Sequence, residues 1–479
     1  MKCLPGTALF TDFYELTMAQ GYWKRGLDGH EAVFDYFYRR QPFQGGFSVF
    51  AGLDPLLEVL EDFRFGQEDL AYLESLGVFE KAFLTYLEGF SFRGRILSAR
   101  EGEIVFPHEL LFRVEGDLVQ AQIIEGIVLN TLNFQSLIAT KSARVWLASA
   151  RGKIMEFGLR RAQGVDGALS ATRAAYIGGA YGSSNSLGGR EYGMPVLGTM
   201  AHSWVMSFPS ELEAFKAYAE IYPSNAIFLI DTFNTLGSGI ENAIAVGHEL
   251  KAKGFSFGVR LDSGDIDYLT REVRRRLDEG GFPDAKIVVS NELDETIIEH
   301  LVTSGAPIDV WGVGTSLVTG GSESAFTGVY KLSAIKYGSS EKAVMKFSDN
   351  PEKSTEPGRK VIYRLYNEND NARLDLISLE GEMPEPGKEL VVHHPSGDYR
   401  RLSIVPAKVE SLLDPVMEEG KRTGPRPSLK DSQSYCAERI GKFDSTYLRQ
   451  LNPHVYKVSI SDRLRDLKLG LIRKYLKKY

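Results

Sequence analysis

The spacing of apolar and polar residues changes character several times along the chain. Near the start, "TDFYELTMAQGYW" predicts a helix: Asp12 and Glu15 stand at capping-box spacing, and Tyr14, Thr17, Met18, Gly21 and Tyr22 share one unusually mixed face. From Val33 to Phe112, runs such as "AVFDYFYR", "GGFSVFAGL" and "GEIVFPHELLFRVEG" predict a mixed α/β domain of strands with a few helices. Glu125 to Ala150 carries a helical period. A regular alternation of short apolar strand, polar turn and amphipathic helix then begins, with strands ending in "KIMEFG", "YIGGAYG", "PVLGT", "AIFLID", "FSFGVRLD", "KIVVS" and "DVWGVGT". Intervals of roughly 20 to 30 residues suit βαβ units and imply a parallel sheet, either doubly wound or closed; seven evenly spaced strands favour a barrel, an incomplete one. After Tyr330 the period weakens. "KFSDNPEKSTEPGRKVIYRLY" reads as an exposed loop running into a strand, a hairpin-rich region extends to Pro406, and "GPRPSLKDSQ" reads as a linker. The last helix is basic, with Leu464, Leu467, Leu471 and Tyr475 in one stripe that suits packing on the domain or on a partner subunit better than binding at a membrane surface.

The polar residues at the strand ends change this picture. Arg160, Ser183, Ser184, Thr199, His202, Asp231, Asp262, Ser290 and Thr315 all follow the last apolar residue of a strand. Singly, each reads as a turn or a helix cap. In a barrel, however, the carboxyl ends of all strands open on one face, where active sites are built, so the set reads as one candidate site.

Composition narrows the function. The 56 Lys and Arg against 63 Asp and Glu leave a net charge of −7, which argues against a broad nucleic-acid footprint and leaves room for small anions held by a few arginines. Two cysteines, Cys3 and Cys436, are too few for a disulfide framework and predict a reducing, cytoplasmic setting. Asp12 and Glu15 interrupt any secretory leader, and no segment approaches the ~18 apolar residues of a membrane span.

Standard cofactor motifs fail. "GVGTSL" lacks the third glycine of a dinucleotide fingerprint, and neither a G-x-x-x-x-G-K-[ST] loop nor H-E-x-x-H occurs. "VRLDSGD" puts Arg260 and Asp262 on the same side of a strand end, a cation and an anion presented together. "WGVGTSLVTG" offers small residues whose amides can approach a phosphate. "EFGLRRAQG" supplies Phe157 to stack on a flat ring, with Arg160 and Arg161 for charge or for a structural ion pair. His202, in "GTMAHSW", reads by itself more readily as a core or cap group than as a reactive one.

In this order, "TDFYELTMAQGY", "EFGLRRAQG", "GTMAHSW", "DTFNTLGSG", "VRLDSGD", "GVGTSLVT" and "PGRKVIYRLY" resemble the nicotinate phosphoribosyltransferases over essentially the whole chain. The resemblance implies an α/β fold: an N-terminal α/β domain (1–135), an irregular, incomplete TIM-like α/β barrel (136–340) that is catalytic, and a C-terminal α/β region (341–479) packing on both. It implies joining of nicotinate to 5-phosphoribosyl 1-pyrophosphate, yielding nicotinate mononucleotide and pyrophosphate, the first step of NAD salvage from nicotinate. It also implies coupling to ATP hydrolysis through a phosphohistidine at His202, with catalysis further carried by Asp262 and Arg260. Tyr14 and Phe157 would sandwich the pyridine ring, with Ser184, Thr199 and Arg260 near its carboxylate. Arg160, Asp231, Asp262, Gly312, Gly314 and Thr315 would hold phosphoribosyl pyrophosphate. Mg²⁺ would sit on Asp231 and Asp262 through water or substrate, and Tyr14 would act across the interface of a homodimer with shared active sites. Neither nucleic acid nor membrane is an expected partner.

The same chemistry on nicotinamide is the nearest alternative. Nicotinamide-using relatives place an aspartate near the amide where this chain has Ser183 and Ser184, and an aspartate would repel a nicotinate carboxylate. The quinolinate-decarboxylating relative is much shorter and lacks the ATP histidine. A catalytically silent barrel that only binds a metabolite is opposed by intact His202, Asp231, Arg260 and Asp262.

Overall fold

The computed structural model describes residues 7–348, 353–395 and 397–476; Cys3 lies outside them. The chain forms two compact units, Met1–Thr140 with Ala325–Tyr479, and Lys141–Ser324.

The first unit is built on two sheets. In one, the strands Ser340–Ala343, Gly328–Tyr337, Glu31–Tyr38, Phe112–Asp117, Arg95–Ser98, Asp414–Glu418 and Lys421–Arg422 follow each other across an antiparallel sheet. Chain segments some 300 residues apart thus share one ladder, such as Tyr36 opposite Tyr330. Beneath it lies an aromatic core in which Phe34 stacks on Tyr330 at 4.8 Å. The other sheet runs Gly397–Ile404, Leu390–His394, Val458–Ile460, Ala372–Leu379, Lys360–Tyr366 and Lys408–Ser411. Two of the three cationic residues of "PGRKVIYRLY" are buried: Lys360 Nζ lies 2.6 Å from Asp35, and the Arg364 guanidinium grips Asp375, Glu103 and the Ile104 carbonyl. A buried charge is tolerated only when fully paired, so these strands are tied to the N-terminal segment by electrostatics as well as by apolar packing.

Two local expectations are corrected here. The first helix forms as Phe13–Lys24, but its N-cap Asp12 makes no side-chain cap bond. Glu15 instead turns inward, fully buried, to the Thr11 hydroxyl and the Gly126 amide. The supposed linker "GPRPSLKDSQ" is half helix: Ser428 and Asp431 form a capping box that starts the helix Leu429–Ile440, and Arg426 pairs with the buried Asp54. Its Cys436 is buried, which pushes the thiol pKa up and keeps it inert. The last helix, Asp462–Leu476, buries Leu464 and lays Leu467 against Gly358 of its own unit.

The second unit holds six parallel strands, β1 (Lys153–Glu156), β2 (Gly182–Ser183), β3 (Ala226–Leu229), β4 (Phe257–Leu261), β5 (Lys286–Asn291) and β6 (Val310–Val313). They line up as β2-β1-β6-β5-β4-β3, a curled, barrel-like sheet open between β2 and β3. Apolar runs such as Ile287–Val289 are buried on both faces, as parallel strands covered by helices require. The connecting helices are amphipathic. Ile266–Glu279 buries Thr270, Val273 and Leu277, takes its N-cap bond from Asp265, and carries ion pairs such as Arg274–Asp278 outside. Of the seven predicted strands, "YIGGAYG" contributes only Gly182–Ser183, because Tyr176 and Ile177 end the helix Gly164–Ile177. "PVLGT" contributes a single bridge, Val196 to Ser183. Among the described residues, no helix is long and apolar enough to cross a membrane.

Candidate active site

The strand ends of the second unit converge on Arg260. Leaving β4 half-buried, its guanidinium donates to the Ser290 hydroxyl at 2.7 Å, to Thr199 Oγ1 at 3.0 Å, to the Met200 carbonyl at 3.3 Å and to Asp262 Oδ1 at 2.9 Å. Two strand ends and one loop are thereby held by one planar fork, the geometry for which arginine is suited. The guanidinium also stands 5.8 Å from the centre of the Phe157 ring.

Asp262 and Asp231 form the acidic side. Asp262 takes the Ser290 hydroxyl and the Arg260 guanidinium on Oδ1, while its backbone N–H and the Ser263 hydroxyl donate to Asp231 Oδ2 at 2.9 and 2.6 Å. Burial alone would push the Asp262 carboxyl up; the Ser290 hydroxyl, Arg260 and the nearby His202 more than offset it and hold the group below the ordinary aspartate range. Asp231 Oδ1 is buried without a hydrogen-bond partner. An orphan carboxylate oxygen beside a second carboxylate is the donor set of a hard cation that keeps part of its water.

His202 opens the short helix His202–Met206, with its ring Nδ1 3.1 Å from the Thr232 hydroxyl and Nε2 3.8 Å from Asp262 Oδ2. Its side chain is 39% exposed, so the ring is reachable by a ligand while both its nitrogens face polar groups. On the other flank, Phe157 follows β1 and lies over Gly312. A Cβ at Gly312 would come within 2.7 Å of the Phe157 ring, so only glycine lets the ring lie against β6. Gly314 backs the Phe157 carbonyl, and Thr315 begins the helix Thr315–Thr319. In "DTFNTLGSG", a Cβ at Gly239 would meet the Ile230 carbonyl at 2.0 Å, so the glycine lets that irregular turn press against the end of β3.

The contacts join Phe157, Thr199, His202, Asp231, Arg260, Asp262, Ser290 and Gly312 of the predicted set. Arg160 is exposed on the turn Leu159–Arg161. Ser184 is half-buried, with its N–H on the Glu156 carbonyl, and Ser183 is buried with its hydroxyl on the Glu156 carboxylate at 2.5 Å. Tyr14 belongs to the first unit, on a helix whose outer face leaves Phe13, Tyr14 and Met18 exposed. The site also includes Thr232, Ser263 and Glu156, which the pattern of strand ends did not single out. For Glu156 a signal existed: an acid at the end of a strand whose other buried positions, Ile154 and Met155, are apolar.

Family models described as the N-terminal domain, the family and the C-terminal domain of nicotinate phosphoribosyltransferase match residues 9–133, 152–373 and 359–468. The nicotinate phosphoribosyltransferase of Bacillus subtilis (strain 168) is 41% identical over 456 residues, covering 95% of this chain and 93% of its own. That of Dictyostelium discoideum is 37% identical over 517 residues, covering 96% and 87%. The crystal structure of human nicotinic acid phosphoribosyltransferase superposes with a TM-score of 0.86 at 30% identity, covering 96% of this chain and 99% of that one. With the models spanning most of its length and these relatives matching nearly all of it, the chain belongs to the nicotinate phosphoribosyltransferase family.

Proposed function

We propose that this chain is a cytoplasmic, homodimeric enzyme that joins nicotinate to 5-phosphoribosyl 1-pyrophosphate, giving nicotinate mononucleotide and pyrophosphate for NAD salvage, and couples the transfer to ATP hydrolysis through phosphorylation of His202. The observation that carries this reading is the Arg260 fork standing beside the Phe157 ring: a flat aromatic acid stacked on Phe157 would bring its carboxylate to Arg260 and Thr199. Tyr14 of a second subunit would close the other face of the ring.

In the reaction the bond from ribose C1 to the pyrophosphate oxygen breaks, the pyridine nitrogen lone pair forms the new bond to C1, and the pyrophosphate leaves with the electron pair. The nitrogen needs no deprotonation, so no general base is required. The demands are orientation and stabilisation of the leaving group. Phe157 and Arg260 would orient the base; Arg160 and the amides around Gly312, Gly314 and Thr315 would hold the phosphates. Asp231 and Asp262 would hold Mg²⁺ through water or substrate oxygens, which fits the unpartnered Asp231 oxygen, and the ion would supply charge neutralisation on the leaving group. His202 is reachable, with its Nδ1 on the Thr232 hydroxyl. Its Nε2 would attack the γ-phosphate of ATP, ADP leaving with the electron pair of the broken P–O bond, and water would later cleave the P–N bond to release phosphate and restore the ring.

Transfer of labelled nicotinate from phosphoribosyl pyrophosphate, with and without ATP, tests the reading. Mononucleotide formation raised by ATP is expected. Preference for nicotinamide would favour the amide-using alternative, and no transfer to either base would leave a silent barrel.

A further inference from the structure

Glu156 ends β1 with 1% exposure, in a strand otherwise apolar at its buried positions. A carboxylate so placed needs donors on both oxygens. One oxygen accepts the Gly158 backbone N–H; the other accepts the Ser183 hydroxyl at 2.5 Å and the Thr172 hydroxyl at 2.9 Å. Ser183 Oγ in turn accepts the Asn185 N–H at 2.8 Å, and the Asn185 amide donates back to Thr172 at 3.1 Å. The polar square is therefore closed on itself. The Ser183 backbone hands the constraint on, its N–H bonding the Pro195 carbonyl at 3.1 Å and its carbonyl accepting the Leu197 N–H at 3.0 Å, two residues before Thr199.

Strand pairing is a weak tether here. β2 is two residues long and pairs with β1 as Met155 with Gly182 and Glu156 with Ser183, flanked by the Tyr181 N–H on the Ile154 carbonyl and the Ser184 N–H on the Glu156 carbonyl. The side-chain fork of Glu156 thus supplies spacing that a longer ladder would otherwise set. On one side it holds the turn bearing Phe157 and Arg160, and on the other the loop bearing Ser184. Glu156 itself is sealed from any ligand and acts only through these neighbours.

Resting on the function proposed above, we propose that Glu156 is the positioning residue that sets the spacing between the ring-stacking turn Phe157–Arg160 and the Ser183–Asn185 loop, and through it both the affinity for the pyridine base and the choice between acid and amide. Because Ser183 is committed to Glu156 and Asn185, Ser184 is the hydroxyl of this pair left to face the ring substituent.

The test compares Glu156→Gln, Ser183→Ala and the double variant by steady-state kinetics on nicotinate and nicotinamide, with thermal melting of each. Glu156→Gln is expected to raise KM for nicotinate about tenfold or more with kcat changed by no more than about threefold, and to lower the nicotinate-to-nicotinamide preference, because it loosens contacts made to the base in ground state and transition state alike. Ser183→Ala should move KM and the preference ratio the same way by less. The double variant should be no worse than Glu156→Gln alone, since Ser183 acts through Glu156. Lowered melting with unchanged KM and ratio would reduce Glu156 to a core hydrogen-bonding group and overturn the proposal, as would multiplying effects in the double variant. If Glu156→Gln does not fold, the preference ratio of Ser183→Ala decides: a fall supports the proposal and an unchanged ratio overturns it. A wild-type chain inactive on nicotinate would instead remove the function on which the proposal rests.

Discussion

His202 is fixed by a single hydroxyl, that of Thr232, and faces one carboxylate, that of Asp262. His202→Ala is expected to abolish ATP hydrolysis and phosphoenzyme formation while leaving some ATP-independent transfer, because the Phe157 and Arg260 groups stay in place. Incubation with γ-labelled ATP checks this, the wild type retaining base-stable, acid-labile label; label retained by the variant would place the nucleophile elsewhere. Arg260 has a different weight, since it holds four partners as well as facing the ring. Its replacement by alanine should remove a charge-assisted hydrogen bond of ~1.5–3 kcal/mol, a loss of about tenfold to a few hundredfold in kcat/KM for nicotinate. Ser184→Asp should act by repulsion and lower the nicotinate-to-nicotinamide ratio; an unchanged ratio would show that this loop does not read the ring substituent. Arg260, Asp262 and Asp231 were legible as a group because they end strands. Thr232 and Ser263 were not, because each lies one step beyond a residue already singled out, and a strand-end pattern cannot say which of two successive side chains turns into the mouth.

Among the elements, the first helix shows how a local pattern loses to tertiary contacts. Asp12 and Glu15 have capping-box spacing, yet burial against Thr11 and the N-terminal turn of Glu125–Ala148 draws Glu15 away from the cap. Burial, then the charges of Glu125 and Asp12, push its carboxyl up to about 8. The folded state therefore binds this proton more tightly than the unfolded chain, whose value is near 4.5. Its stabilising contribution is complete below that unfolded value and declines as pH rises through about 8. Glu15→Gln should flatten that slope and raise the melting temperature at pH 9 relative to wild type; parallel melting curves across pH 5–9 would show that Glu15 does not titrate in this window. Other elements were misjudged for related reasons. Glycines in "YIGGAYG" made a helix end look like a strand, and the prolines before Ser428 hid the capping box that follows them.

At the scale of the molecule, alternating strand and helix from Lys153 to Thr319 revealed the barrel because each unit is local in sequence. The sharing of one antiparallel sheet by Glu31–Tyr38 and Gly328–Tyr337 was not legible, since nothing in either strand names a partner some 300 residues away. If Tyr14 completes the site of a second subunit, mixing inactive Tyr14→Ala chains with inactive Asp262→Ala chains should restore part of the activity. No recovery despite verified subunit exchange would count against a shared site. The gap in the barrel wall has its own consequence. Among the described residues the parallel ladder runs from β2 through to β3 and stops, and the stretch from Val196 to Asn225, which carries Thr199 and His202, meets a strand of this sheet with one isolated bridge. Backbone outside a ladder opens at lower free energy than backbone within it. Amide hydrogen exchange is therefore expected to be fastest from Val196 to Ser207 and slowest in β4 and β5, and equal protection throughout would contradict this. If His202 carries a phosphoryl group in one state of the proposed cycle and none in the next, it would do so where the backbone can open without unzipping the sheet.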